Sequence, residues 1–114
     1  MFKQLIETDH IVAGITVKNP TLTEQGNMAL HICEDEEAII ANREKLAKAI
    51  GVSLRQFVCA NQTHSDHFYE VTNSDAGRGA FTTADAIDDV DALYTFADNI
   101  VLTSFTADCV PIIF

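Results

Sequence analysis

The stretch Asp35-Glu36-Glu37-Ala38-Ile39-Ile40-Ala41-Asn42-Arg43-Glu44-Lys45-Leu46-Ala47-Lys48-Ala49-Ile50-Gly51 carries the clearest helical pattern of the chain. Ile39, Leu46, Ala47 and Ile50 recur at helical spacing, with Ile40 at the edge of the stripe. Acidic residues fill the first turn and Lys45 and Lys48 lie toward the far end, matching the helix dipole. Gly51 follows where a left-handed C′ residue ends helices. This predicts an amphipathic helix from Asp35 to Gly51.

Outward from that helix the chain reads as strands and turns. Ile11–Val17 is β-branched and stops at Asn19-Pro20, Thr21–Asn27 reads as loop, and Met28–Ile32 reads as a short strand. After a connector at Val52–Arg55, strands are predicted at Phe57–Ala60, Phe68–Val71 and Ile100–Phe105, with a strand or turn beginning at Asp91–Thr95. Thr72–Thr83, rich in Asn, Ser, Asp and Gly, reads as an exposed, mobile loop. One early helix among several strands, without regular alternation, predicts an α+β fold.

Val110–Phe114 reads as a buried strand whose neighbours must come from further chain or another molecule. The 114 residues, one domain at most, are therefore expected to be a fragment. An unpaired apolar strand at that end would also promote self-association.

The chain has 7 basic and 17 acidic residues and a formal charge of −10. Such a surface repels phosphate backbones and anionic headgroups, so nucleic acid and membranes are not the expected partners. Lys3, Glu7, Asp9 and His10 interrupt the N-terminal apolar residues, leaving no room for a secretory core or a membrane span. Cys33, Cys59 and Cys109 are odd in number and unclustered, which fits a reducing, cytoplasmic setting. Cys59 lies in an apolar run, and Cys33 abuts Glu34-Asp35-Glu36-Glu37, where negative charge disfavours a thiolate.

Chemistry is suggested where Asn61-Gln62-Thr63-His64-Ser65 follows one strand and Asp108-Cys109 follows another. Imidazole and thiolate suit zinc, yet a catalytic zinc takes three protein ligands. Taken alone, the pair fits a buried cysteine and a hydrogen-bonded surface histidine better than a metal site. Asp85, Asp88, Asp89 and Asp91 lack the glycine and closing glutamate of an EF-hand loop and read as a solvated acidic loop. Gly77-Arg78-Gly79 could admit an anion to a guanidinium and backbone amides.

Three ordered blocks carry a resemblance: Asn61–Ser65, Asp91–Thr95 and Leu102-Thr103-Ser104-Phe105-Thr106-Ala107-Asp108-Cys109-Val110-Pro111. With the helix around Ala41-Asn42-Arg43, they resemble the N-terminal half of the laccase-domain, YfiH-like proteins. That resemblance implies mixed β-sheets flanked by helices in a layered α/β/β/α sandwich. It implies a zinc-binding purine nucleoside phosphorylase acting on adenosine or inosine with phosphate, with adenosine deaminase side activity. It places two metal ligands at His64 and Cys109. The third ligand of the family, in a His-Ala-Gly-Trp-Arg-Gly block, has no counterpart in this chain. Beside these, Asp108 is the candidate for proton handling and Arg78 for a phosphate contact.

Other readings stay open. The older assignment of the family as copper polyphenol oxidases would make copper the alternative metal. A blue-copper site needs two His and a Cys, and the four histidines include no His-x-His pair. Cys109 could instead be a metal-free nucleophile activated by His64. The chain could also be a non-catalytic folding or assembly unit.

Overall fold

The computed structural model describes residues 2–114. The helix forms as its sequence requires: α1 runs Glu36–Ile50, Asp35 caps it by accepting from the Glu37 amide, and Gly51 ends it at φ 80°. The strands form three two-stranded pairings. β1 (Phe2–Glu7) and β2 (Val12–Thr16) form an antiparallel hairpin with an irregularity between Gln4 and Ile6. β3 (Phe57–Val58) pairs in parallel with β6 (Val101–Leu102), and β4 (Phe68–Val71) in parallel with β5 (Ala92–Thr95). The class is α+β, as expected. Of the layered sandwich that the resemblance implies, the described residues supply one helix and these three pairings. Among them no helix is long and apolar enough to cross a membrane.

Successive strand residues face opposite ways, and β3 uses this to separate two cores. Phe57 joins Ala47, Leu54 and Ala80, against Ile40, Leu46 and Ile50 of the helix. Val58 joins Ala60, Val71, Ile87 and Val90, against Tyr69 and Leu93 of β4 and β5. Both are essentially inaccessible, and burial of each side chain contributes roughly 1.5–3 kcal/mol.

Several expectations are corrected. β1 lies where no strand was predicted; its irregularity breaks the alternation that would have announced it. Met28–Ile32 is a turn and not a strand. The Asn27 side chain accepts from the Ala29 amide at 3.0 Å and donates to the Ile32 carbonyl at 2.6 Å, and such local bonds displace a ladder. Phe57–Ala60 keeps only two ladder residues, with Ala60 forming an isolated bridge to Ile87. In Ile100–Phe105 the ladder is likewise confined to Val101–Leu102. Val110–Phe114 is neither a strand nor buried: Val110 is 84% exposed and Ile112 73%. Extended backbone without a ladder partner is not sheet.

The Thr72–Thr83 segment is exposed only in part. Asp75 and Ala80 are buried, the Gly77 amide donates to Phe57 and the Cys59 amide to Arg78, so the segment lies along β3. Asp75 sits in a capping box with Thr72. Burial alone would raise its pKa, but bonds from the Thr72 amide, Arg78 and Tyr69 prevail and lower it. Gly79, at φ +74°, lets the backbone pass Cys59: a Cβ there would lie 2.8 Å from both the Cβ and the carbonyl oxygen of Cys59.

Candidate functional site

β3 and β6 run in the same direction, so the chain leaves both at the same end, toward His64 from one and toward Cys109 from the other. Side chains lock the two exits together. The Thr103 hydroxyl donates to the Val58 carbonyl and approaches Cys59 Sγ, each at 2.8 Å. Gln62 brackets Phe105: its Oε1 accepts from the Phe105 amide at 2.8 Å and its Nε2 donates to the Phe105 carbonyl at 3.0 Å. Residues two before His64 and four before Cys109 are thereby joined.

His64 has φ 60°, a left-handed conformation unusual for a residue with a Cβ. The Asp91 carboxylate holds it there by accepting from three consecutive amides: Thr63 at 2.9 Å, His64 at 3.1 Å and Ser65 at 3.0 Å. Those bonds, led by that from Ser65, hold the Asp91 carboxyl below its ordinary pKa. Alongside it, His67 Nδ1 lies 3.0 Å from the Asp89 carbonyl and 3.1 Å from its carboxylate. The Asp89 carbonyl, then its carboxylate, raises the His67 pKa and favours the donor form. Asp85 accepts from the Gly79 amide at 2.9 Å. The acidic segment is thus not merely solvated. It satisfies the amides of its neighbours, with Asp91 shaping the His64 turn.

Asp108 and Cys109 are exposed, as is His64. Arg78 is turned to internal partners: Nη1 donates to Asp75 at 3.1 Å, Nε to the Asp85 carbonyl at 3.0 Å, and Nη2 has one long contact, 3.5 Å, to Ala86. Of the other thiols, burial pushes Cys59 up despite its Thr103 bond. Desolvation, then Glu24, Glu36 and Asp35, pushes up Cys33, the effect foreseen from its acidic neighbours.

Imidazole and thiol are donors that suit zinc or copper, but their number falls short. Among the described residues no group of three or more His, Cys, Asp or Glu side chains is placed to hold a metal ion, whereas a catalytic zinc takes three protein ligands. The residues present therefore do not fit a complete metal site.

Sequence reasoning missed three side chains here. Arg43 is 3% exposed; its Nε donates to Met28 and its Nη1 to Gly79 and Ala80, all carbonyls at 2.7–2.8 Å, and its guanidinium lies 5.0 Å from the Phe105 ring centre. Asn42 is fully buried, and its amide donates to Thr23 and Asn27. Asp91 was read as a member of an acidic cluster and as the start of a strand or turn, not as the group that holds His64. No periodicity announces Arg43 or Asn42, because their partners are backbone carbonyls distant in sequence.

A family model described as multi-copper polyphenol oxidoreductase laccase matches residues 14–114. The chain belongs to this family. It is 38% identical over 107 residues to purine nucleoside phosphorylase YlmD of Geobacillus stearothermophilus, covering 90% of this chain and 39% of that protein. It is 39% identical over 116 residues to purine nucleoside phosphorylase SSP1584 of Staphylococcus saprophyticus, covering 98% and 43% respectively. The crystal structure of Bacillus licheniformis hypothetical protein YfiH superposes with a TM-score of 0.75 at 36% identity, over 80% of this chain and 36% of that one. The chain therefore spans about two fifths of the length of the curated relatives it matches.

Proposed function

We propose that this chain serves the phosphorolysis of purine nucleosides, adenosine or inosine, at the shared end of β3 and β6. The observation that carries the proposal is that Gln62 binds Phe105, joining the chain two residues before His64 to the chain four residues before Cys109, while Asp91 holds His64 in a strained turn. Strain retained by several hydrogen bonds is a recurrent property of functional positions.

In the reaction, a phosphate oxygen forms a bond to the anomeric carbon while the bond from that carbon to the purine nitrogen breaks, and the departing base takes up a proton. Asp108 is the proposed proton-handling group and Arg78 the proposed phosphate contact, through its least engaged nitrogen. His64 and Cys109 are the proposed zinc donors, with copper as the alternative; a third ligand is needed from outside the described residues. Adenosine deaminase side activity belongs to the same proposal and would be read as ammonia release.

The test is to graft residues 14–114 in place of the matching part of Geobacillus stearothermophilus YlmD and supply inosine with phosphate. Hypoxanthine and ribose 1-phosphate are expected, and replacing Asp108 by Asn in the graft should slow their release. A folded, metal-loaded graft releasing neither product defeats the proposal. The 114 residues alone are expected to hold well under one zinc per chain, because two donors underfill the site. Stoichiometric zinc by elemental analysis would contradict that count of ligands.

A further inference from the structure

The parallel β4–β5 pair divides its side chains between two faces. Tyr69, Val71 and Leu93 turn inward to the core around Val58. Phe68, Glu70, Ala92 and Tyr94 are exposed, and the alternation runs on past β5 through Phe96 and Asp98. Register sets Phe68 beside Ala92 and Glu70 beside Tyr94, so three aromatic rings and a carboxylate share the outer face. Phe68 is 72% exposed, Phe96 85% and Tyr94 40%. The rings form one continuous patch: Phe68 and Tyr94 lie 6.2 Å apart between centres, Tyr94 and Phe96 6.0 Å and edge to face.

Parallel strands are ordinarily covered on both faces, and helices are what cover them. Here the inner face is covered and the outer one is open. At about 150–250 Å² per ring, the exposed part of the three comes to roughly 300–500 Å². That matches the largest apolar patch of an ordinary monomer, about 300–600 Å², which is where partners dock. A small molecule would find no enclosure on so open a face, because ligand sites bury most of what they bind. The occupant is therefore macromolecular.

The charge of the face selects among macromolecules. Glu70 stands among the rings and Asp98 follows them, and neither joins the ion pairs of the described residues, which are His67 with Asp66 and Asp89 and Arg78 with Asp75. The cation–π contact among the described residues is Arg43 on Phe105, so no basic side chain of the protein lies over these three rings. A second copy would set a formal charge of −10 against its like. The same charge repels anionic lipid and also single-stranded nucleic acid, which otherwise stacks on exposed rings. Arginine meets both features at once, since its planar guanidinium stacks on an aromatic face and pairs with a carboxylate. We propose that the outer face of β4–β5 is a docking site for an amphipathic helix of a protein partner, with its apolar stripe over Phe68 and Phe96 and its arginines over Tyr94 against Glu70. At about half the ~800 Å² per partner of a standard complex, the contact is a transient one. None of these residues enters the phosphorolysis reading.

The test titrates the full 114-residue chain, isotope-labelled for nuclear magnetic resonance, with a synthetic helix of about five turns bearing a leucine stripe flanked by arginines. A twin peptide carries glutamate at each arginine position. The arginine peptide is expected to shift the ring signals of Phe68, Tyr94 and Phe96 and the Glu70 carboxyl carbon, and the twin to leave them in place. Added salt should weaken the binding. Phe96→Ala, which removes the most exposed of the three rings, should weaken it about tenfold, and Glu70→Gln about two- to fivefold. The peptide pair reads the charge requirement without altering the chain, so that arm does not depend on how a variant folds. Equal binding of the two peptides overturns the proposal, as does binding that shifts Val110–Phe114 while the rings stay unmoved. Absence of any ring shift at millimolar arginine peptide also overturns it. So does a dimer of the chain alone, seen by sedimentation and dissociated by Phe96→Ala, because the occupant is then a second copy.

Discussion

Replacing Arg43 by Met should unfold this chain at much lower denaturant than the unaltered protein. The guanidinium ties the helix to two distant turns through carbonyls of Met28, Gly79 and Ala80. Bonds from a charged donor contribute about 1.5–3 kcal/mol each, so three come to roughly 5–9. Against this, relief from holding a charge in the interior returns several kcal/mol. The net loss is about 3–4 kcal/mol, because Met can fill the volume but leaves three buried acceptors unpaired. With a urea slope of about 2 kcal/mol per molar, the midpoint should fall by roughly 1.5–2 M. Arg43→Lys is the informative companion. It keeps the charge but loses the planar fork, and should fall nearly as far. Equilibrium unfolding followed by circular dichroism measures both. A Met variant within about 0.5 M of the original midpoint would refute the claim that these bonds hold the two turns to the helix.

Asp91, whose pKa the fold lowers, should add stability that is complete above the ordinary aspartate value of 3.8 and is lost as pH falls through the lower folded value. Asp91→Asn should flatten the acid limb of the stability profile, and an unchanged limb would show that the carboxylate is not bound by those amides. Gly79→Ala should lower the melting temperature by about 8 °C or more, since it adds a Cβ clash with Cys59 to left-handed strain. Gly51→Ala, with open space around it, should cost only about 1 kcal/mol; equal costs at the two positions would contradict the packing described. In iodoacetamide labelling mapped by mass, Cys109 should react first, half-buried Cys33 later and buried Cys59 last. Early modification of Cys59 would show that the pairing of β3 and β6 opens readily.

What the sequence made legible was local. The helix from Glu36 to Ile50 declares itself through an N-cap, a charge gradient and a terminal glycine, each readable within a few residues. The 72–83 segment was misjudged in part because its composition is polar, while the burial of Gly79 and Ala80 is imposed by β3 and Arg43 from outside. A signal was available in Thr72-Asn73-Ser74-Asp75, which has the spacing of a capping box. The strand expected after Cys109 does not form, but the segments that lead to His64 and to Cys109 do leave the same end of a parallel pair. Asp91 could not be found by spacing, since its partners lie 26–28 residues earlier and are backbone amides.

The two-residue strand Phe57–Val58 serves two compartments at once, one side chain to each. Adding or removing a single residue just before it would exchange the tenants, pressing a phenyl ring into a space shaped for valine and leaving a void beside the helix. Change along this short stretch is therefore confined to substitution at constant length, and engineered insertions should be directed to the exposed turn at residues 81–84.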